Sequence, residues 1–158
     1  MNKIESFTLN KKKIEINEIL KLTNLNEKNN ISELVDICLA KNEKKLLKMI
    51  NENNFSNEDT VLIIRTFLFK AKRLLSLREE IELNGNIDTV LNTFKPPIFW
   101  KDKDLVKQQI NNYSKSNVKI LINTINKTEL LIKKNYNSSI NILLDFIINQ
   151  GKRVNNSL

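Results

Sequence analysis

Four residues punctuate this 158-residue chain: Gly85, Gly151 and the adjacent pair Pro96 and Pro97. Glycine and proline are the strongest local breakers, and a protein made of short strands needs turn residues at frequent intervals. A chain so thinly broken, with almost no apolar–polar alternation, is predicted to be all-α, because only helices run for long stretches without such breaks. The expected fold is a bundle of about seven to eight helices.

Length and composition narrow the class. A chain of this size buries about 70% of its unfolded surface in a single core. A hydrophobic fraction of 41% and seven Phe argue against disorder. No apolar run reaches the roughly 18 residues of a membrane span, so no membrane partner is expected. The opening Met1-Asn2-Lys3-Ile4-Glu5-Ser6 lacks the charged-then-apolar order of a signal peptide. The single cysteine, Cys38, leaves no intrachain disulfide to form and fits a reducing cytoplasm. With one Cys and no His the usual zinc ligand sets cannot be filled, and no metal or cofactor is expected.

The net charge of +8 invites a nucleic-acid reading. Its composition argues against that reading. There are 22 Lys but only 4 Arg, and Lys, Asn and Ile together fill 69 of the 158 positions. These are the residues of A+T-rich codons, so part of the charge reflects coding. Lysine-for-arginine bias also removes the bidentate fork that recognises phosphate.

Along the chain, a short helix is predicted over 16–22, then a polar run over 23–30 that is the best boundary candidate. Further helices are predicted over 31–40, 42–53 with Asn42 as N-cap, and 57–84. The last is the longest. Ser56 and Asp59 suit its start and Gly85 its end. Its apolar residues, among them Val61, Ile63, Phe67, Phe69, Leu74 and Leu77, cover more than one stripe, which predicts a central helix packed on all sides. Helices over 87–93, 103–113, 117–135 and 139–150 complete the set, with Ser116 and Ser138 as caps of the last two. Pro96-Pro97 forbids continuation of the helix before it.

Few residues invite a chemical reading. Glu129 falls on a predicted face with Val118, Ile122, Ile125, Ile132 and Tyr136. A carboxylate there needs a partner, since an unpaired buried charge costs several kcal/mol. A structural ion pair is the preferred account, with Arg78 the first candidate, Arg65 the second and Lys133 a local third. In Pro96-Pro97-Ile98-Phe99-Trp100, Ile98 and Phe99 are expected to seal the end of the bundle. Trp100 also packs by preference, with a partner-facing anchor as the alternative. Cys38, among Leu34, Val35 and Leu39, reads as a small core residue. No phosphate-binding glycine loop and no paired-acid site occurs, so no catalytic residue is identified.

Three stretches carry a family resemblance. Val61-Leu62-Ile63-Ile64-Arg65-Thr66-Phe67 through Leu74-Leu75-Ser76-Leu77-Arg78, Lys95-Pro96-Pro97-Ile98-Phe99-Trp100-Lys101, and Thr128-Glu129-Leu130-Leu131-Ile132-Lys133 together resemble the C-terminal part of the DNA polymerase III delta subunit, of the alphaproteobacterial type. That subunit belongs to the bacterial clamp loader. The resemblance implies a collar domain over 29–150, which joins the loader's subunits into a ring. It also implies a remnant of a small helical lid over 1–28, while residues 151–158 read by themselves as a flexible tail. Expected partners are the gamma or tau and delta prime subunits, with the sliding clamp and primed DNA reached only through the complete assembly. The family's N-terminal clamp-binding module has no counterpart in these residues, so only collar assembly is implied. In that reading Ile98, Phe99, Trp100, Phe69 and Leu77 are candidate interface residues. The competing expectation is a stand-alone basic helical nucleic-acid binder.

Overall fold

The computed structural model describes residues 30–152. The chain divides into two compact units, Met1–Glu33 and Leu34–Leu158, and the account below concerns the second together with residues 30–33, which begin its first helix. The helix predicted over 16–22 and most of the tail lie outside the described residues.

The described residues hold seven α-helices and no strand, an all-α bundle. α1 covers residues 30–39, α2 is Glu43–Glu52, α3 Asp59–Asn84, α4 Ile87–Thr93, α5 Lys103–Asn112, α6 Lys115–Lys134 and α7 Ser139–Gly151. Short 3-10 turns, Trp100–Asp102 and Tyr136–Ser138, precede α5 and α7.

Helix starts follow the side chains that can satisfy free backbone amides. Asn42 Oδ1 accepts from the Lys45 amide at 3.2 Å, as predicted. Asp59 takes both the amide and the hydroxyl of Ser56, at 2.9 and 2.8 Å, which folds the chain back at the head of α3. Asn86 Oδ1 accepts from the amides of Asp88 and Thr89 at 2.9 and 3.2 Å and starts α4. At α6 the cap is Ser114, whose Oγ accepts from the Asn117 amide at 3.2 Å. Ser116, the predicted cap, lies inside the first turn, because the helix begins two residues earlier than its apolar pattern. Ser138 precedes α7 without a side-chain cap bond. Gly85 ends α3 in the left-handed conformation, φ 71°, and donates to the Ile81 carbonyl at 2.8 Å.

α3 organises the packing. It meets α4, α5, α6 and α7, and most extensively α6. Ile63, Ile64, Phe67, Ala71, Leu74 and Leu77 point inward from it. They meet Val118, Leu121, Ile125 and Ile132 of α6, with Leu143, Phe146 and Ile147 of α7 completing the core. The rings of Phe67 and Phe146 pack edge to face, 5.2 Å apart and 85° between planes. α1 is held by polar bonds as well as by apolar burial. Asp36 accepts from Lys70 Nζ of α3 and from Gln109 Nε2 of α5, the latter at 3.1 Å. Asn112 donates to the Leu39 carbonyl at 3.3 Å. Gly151 is buried at the foot of α7 against Leu46 of α2.

The expectation that α3 is packed on all sides is corrected. Its apolar residues divide into a buried arc and a second line, Leu62, Phe69 and Leu83, that remains 42%, 66% and 85% exposed. A helix can be apolar on several sides because it has two faces to dock, and among the described residues α3 uses only one.

Candidate functional site

Glu129 sits at the edge of the buried stripe of α6. The residues that turn fully inward are Val118, Leu121, Ile125, Thr128 and Ile132, so the face is rotated toward Leu121 and Thr128 from the predicted one. Tyr136, placed on that face by periodicity, lies beyond the end of α6 and is exposed. The Glu129 side chain retains 17% of its exposure and pairs with Lys133 Nζ at 2.7 Å and Arg65 Nε at 3.5 Å. The Lys133 hydrogen bond, opposed by partial burial and helped by Arg65, holds its carboxyl below the usual carboxylate range. Arg78 is not its partner. Arg65 is the α3 residue that lies level with Glu129, about three and a half turns before Arg78 and closer to the start of α3. The cluster neutralises a charge at a helix–helix seam and holds no nucleophile.

The Pro96–Trp100 segment splits by side chain. The Lys95–Pro96 peptide is cis. Phe94 and Ile98 are buried, each 6% exposed, and anchor the chain on either side of Pro96-Pro97. Phe99 and Trp100 instead stand in solvent at 58% and 69%, their ring centroids 6.0 Å apart. The expected seal is therefore made by Ile98 with Phe94, and not by Phe99 or Trp100. Extended backbone sends successive side chains to opposite sides, so a buried Ile98 turns Phe99 outward. Lys101 Nζ lies over the Trp100 ring, 5.3 Å from its centroid. Of the candidate interface residues, Phe69, Phe99 and Trp100 are open to a partner. Ile98 and Leu77 are buried, Leu77 because it shares the inward arc of Leu74 and Phe67.

Two features escaped the sequence. A groove of about 510 Å³ runs between α6 and α7, with Leu131, Ile142 and Phe146 along it and Asp145 its one titratable group. Ile120 and Leu130 of α6 are also exposed, at 64% and 59%. Helical periodicity marks such residues as apolar but cannot say which apolar side meets a neighbour.

Cys38 is fully buried, and its thiol donates to the Ile147 carbonyl at 3.5 Å. Burial pushes its pKa up to about 12, only slightly opposed by Lys41, so it is a packing residue with little thiolate character. Among the described residues no group of three or more His, Cys, Asp or Glu is placed to hold a metal. No described helix is long and apolar enough to cross a membrane. The surface that invites a partner is therefore apolar and aromatic, carried by Phe99, Trp100 and the outward side of α3. Comparison with protein-family models, with curated proteins and with solved structures finds no match to this chain.

Proposed function

We propose that this chain is an assembly module, and specifically the collar part of a bacterial clamp-loader delta subunit. Its role is to hold ATPase subunits in a ring that loads the sliding clamp onto primed DNA. The observation that carries the assembly reading is the exposed Phe99–Trp100 pair, which directly follows the buried Ile98. Paired aromatics held in solvent on a rigid base are what interface hot spots are made of. The more specific identity draws on the likeness of the three sequence stretches to delta and on the helical bundle they occupy. The partners are then the gamma or tau and delta prime subunits. The proposed setting is cytoplasmic DNA replication, and the chain itself contributes no catalytic group.

The test is light scattering after mixing the chain with purified gamma or tau and delta prime at low and high salt. Stoichiometric, salt-resistant co-elution supports the collar, because an interface with an apolar core survives salt. Absence of a complex refutes it. One observation favours a second reading, a basic nucleic-acid-binding module: Trp100 carries Lys101 over its ring with Lys95 and Lys103 nearby in the chain. Binding to single-stranded DNA that falls by orders of magnitude with modest salt would favour that reading over the collar.

A further inference from the structure

The outward side of α3 has a pattern of its own. Leu62, Phe69, Ser76 and Leu83 recur every seven residues, on the side away from Phe67 and Leu74. The three large ones are 42%, 66% and 85% exposed, and Ser76 is exposed with them. A line of apolar side chains at heptad spacing is the seam by which one helix meets another.

The charges beside this line are sorted about Ser76. Lys72 and Arg73 lie just before it, and Glu79 and Glu80 just after. Among the described residues Lys72 and Glu80 form no ion pair, while Glu79 reaches Lys115 at 3.7 Å. The face is therefore basic on one side of its midpoint and acidic on the other. Such a surface is complementary to itself turned end for end.

We propose that this face is a homodimer interface, in which α3 of a second copy of the chain crosses antiparallel at Ser76. Phe69 and Leu83 each lie seven residues from Ser76, so each meets the other on the opposite copy. A two-fold axis keeps each flank of the helix on its own side. Lys72 then meets Glu79 of the second copy, once from each copy; Arg73 takes no part, because its Nε is buried on the side of Asp36, Val106 and Gln109. A parallel arrangement would set Glu79 against Glu80 and leave Lys72 facing no carboxylate, so charge decides the direction. Ser76 is the one small residue in the line, which suits a crossing point where axes approach to about 8–10 Å. The overlap from Phe69 to Leu83 is about 21 Å long at the helical rise per residue. That is short for an obligate interface and predicts a weak, reversible dimer. The inference goes beyond the proposed function, since it needs neither another protein nor a clamp-loader identity.

The test uses the full chain alone, by sedimentation velocity over a concentration series at low salt. The expected result is a reversible rise from one chain mass to two. Phe69→Asp weakens the association about tenfold or more. Lys72→Glu weakens it, and adding Glu79→Lys restores it, because the contact is re-formed with its signs exchanged. Ser76→Cys gives a disulfide-linked dimer under mild oxidation, since a two-fold crossing places the two Ser76 positions together and Cys38 is buried. All four positions are exposed or half-exposed, and circular dichroism checks that each variant keeps the helical fold. A chain that stays monomeric at every concentration overturns the proposal. So does a dimer indifferent to Phe69→Asp whose Ser76→Cys variant does not cross-link.

Discussion

At the scale of single residues, the two glycines do different work, and substitution separates them. Gly85 has φ 71° with nothing within 4 Å of an added Cβ, so its requirement is conformational. Gly85→Ala is expected to cost about 1–2 kcal/mol from the left-handed backbone alone. Gly151 needs space, since an added Cβ would come within 2.1 Å of Leu46 Cδ2. Gly151→Ala is expected to cost about 1–3 kcal/mol by overpacking, and Leu46→Ala should cost less in that variant than in the wild-type chain. Urea midpoints of Gly85→Ala, Gly151→Ala, Leu46→Ala and the Gly151→Ala/Leu46→Ala double variant check both. Glu129 makes a pH prediction. Its carboxyl is held below the ordinary value of 4.5, chiefly by the Lys133 hydrogen bond. A depressed carboxylate stabilises the fold above its unfolded-state value, and that contribution is lost as pH falls through the folded value. Glu129→Gln should therefore cost a few tenths to about 1 kcal/mol at neutral pH, and the difference from wild type should vanish in acid. A constant gap across the acid range would assign the loss to packing instead. The residue types at both kinds of position were legible in sequence. The partners of Glu129 were only partly so, because the choice between Arg65 and Arg78 depends on how far α6 slides along α3.

At the scale of elements, boundaries followed local chemistry closely. α4 is the helix predicted over 87–93, and the start of α2 follows its predicted cap, Asn42. The error at α6 is instructive. Ser114 and Ser116 are both good cap residues, and only the former has the extended backbone, ψ 163°, that lets its hydroxyl reach the Asn117 amide. Ser114→Ala is expected to cost about 1 kcal/mol in thermal melts, and Ser116→Ala much less. Within α3, Phe67 is fully buried against Phe146, while Phe69, two residues on, stands in solvent. Phe67→Ala should cost about 3–5 kcal/mol and Phe69→Ala no more than about 0.5 kcal/mol, measured by denaturant unfolding. Both are phenylalanines on one apolar helix. Composition cannot separate them, and a 200° turn of the helix does.

At the scale of the whole molecule, the surface left open matters as much as the core. Trp100→Ala is expected to leave stability within about 0.5 kcal/mol, because the ring is 69% exposed. If the chain is an assembly module, the same variant should weaken partner binding markedly, and titration calorimetry against the purified subunits reads that difference. Unchanged partner affinity would remove Trp100 from the interface. What the sequence determined alone is local: helices rather than strands, where they start and stop, and the absence of a zinc ligand set. Those follow from backbone preferences, caps and breakers that act over a few residues. Only the tertiary structure decided which apolar side of α3 and α6 is buried, which arginine meets Glu129, and that Ile98 goes in while Phe99 and Trp100 stay out. Each of these depends on the angle and register at which helices meet, set by the joint packing of side chains far apart in the chain.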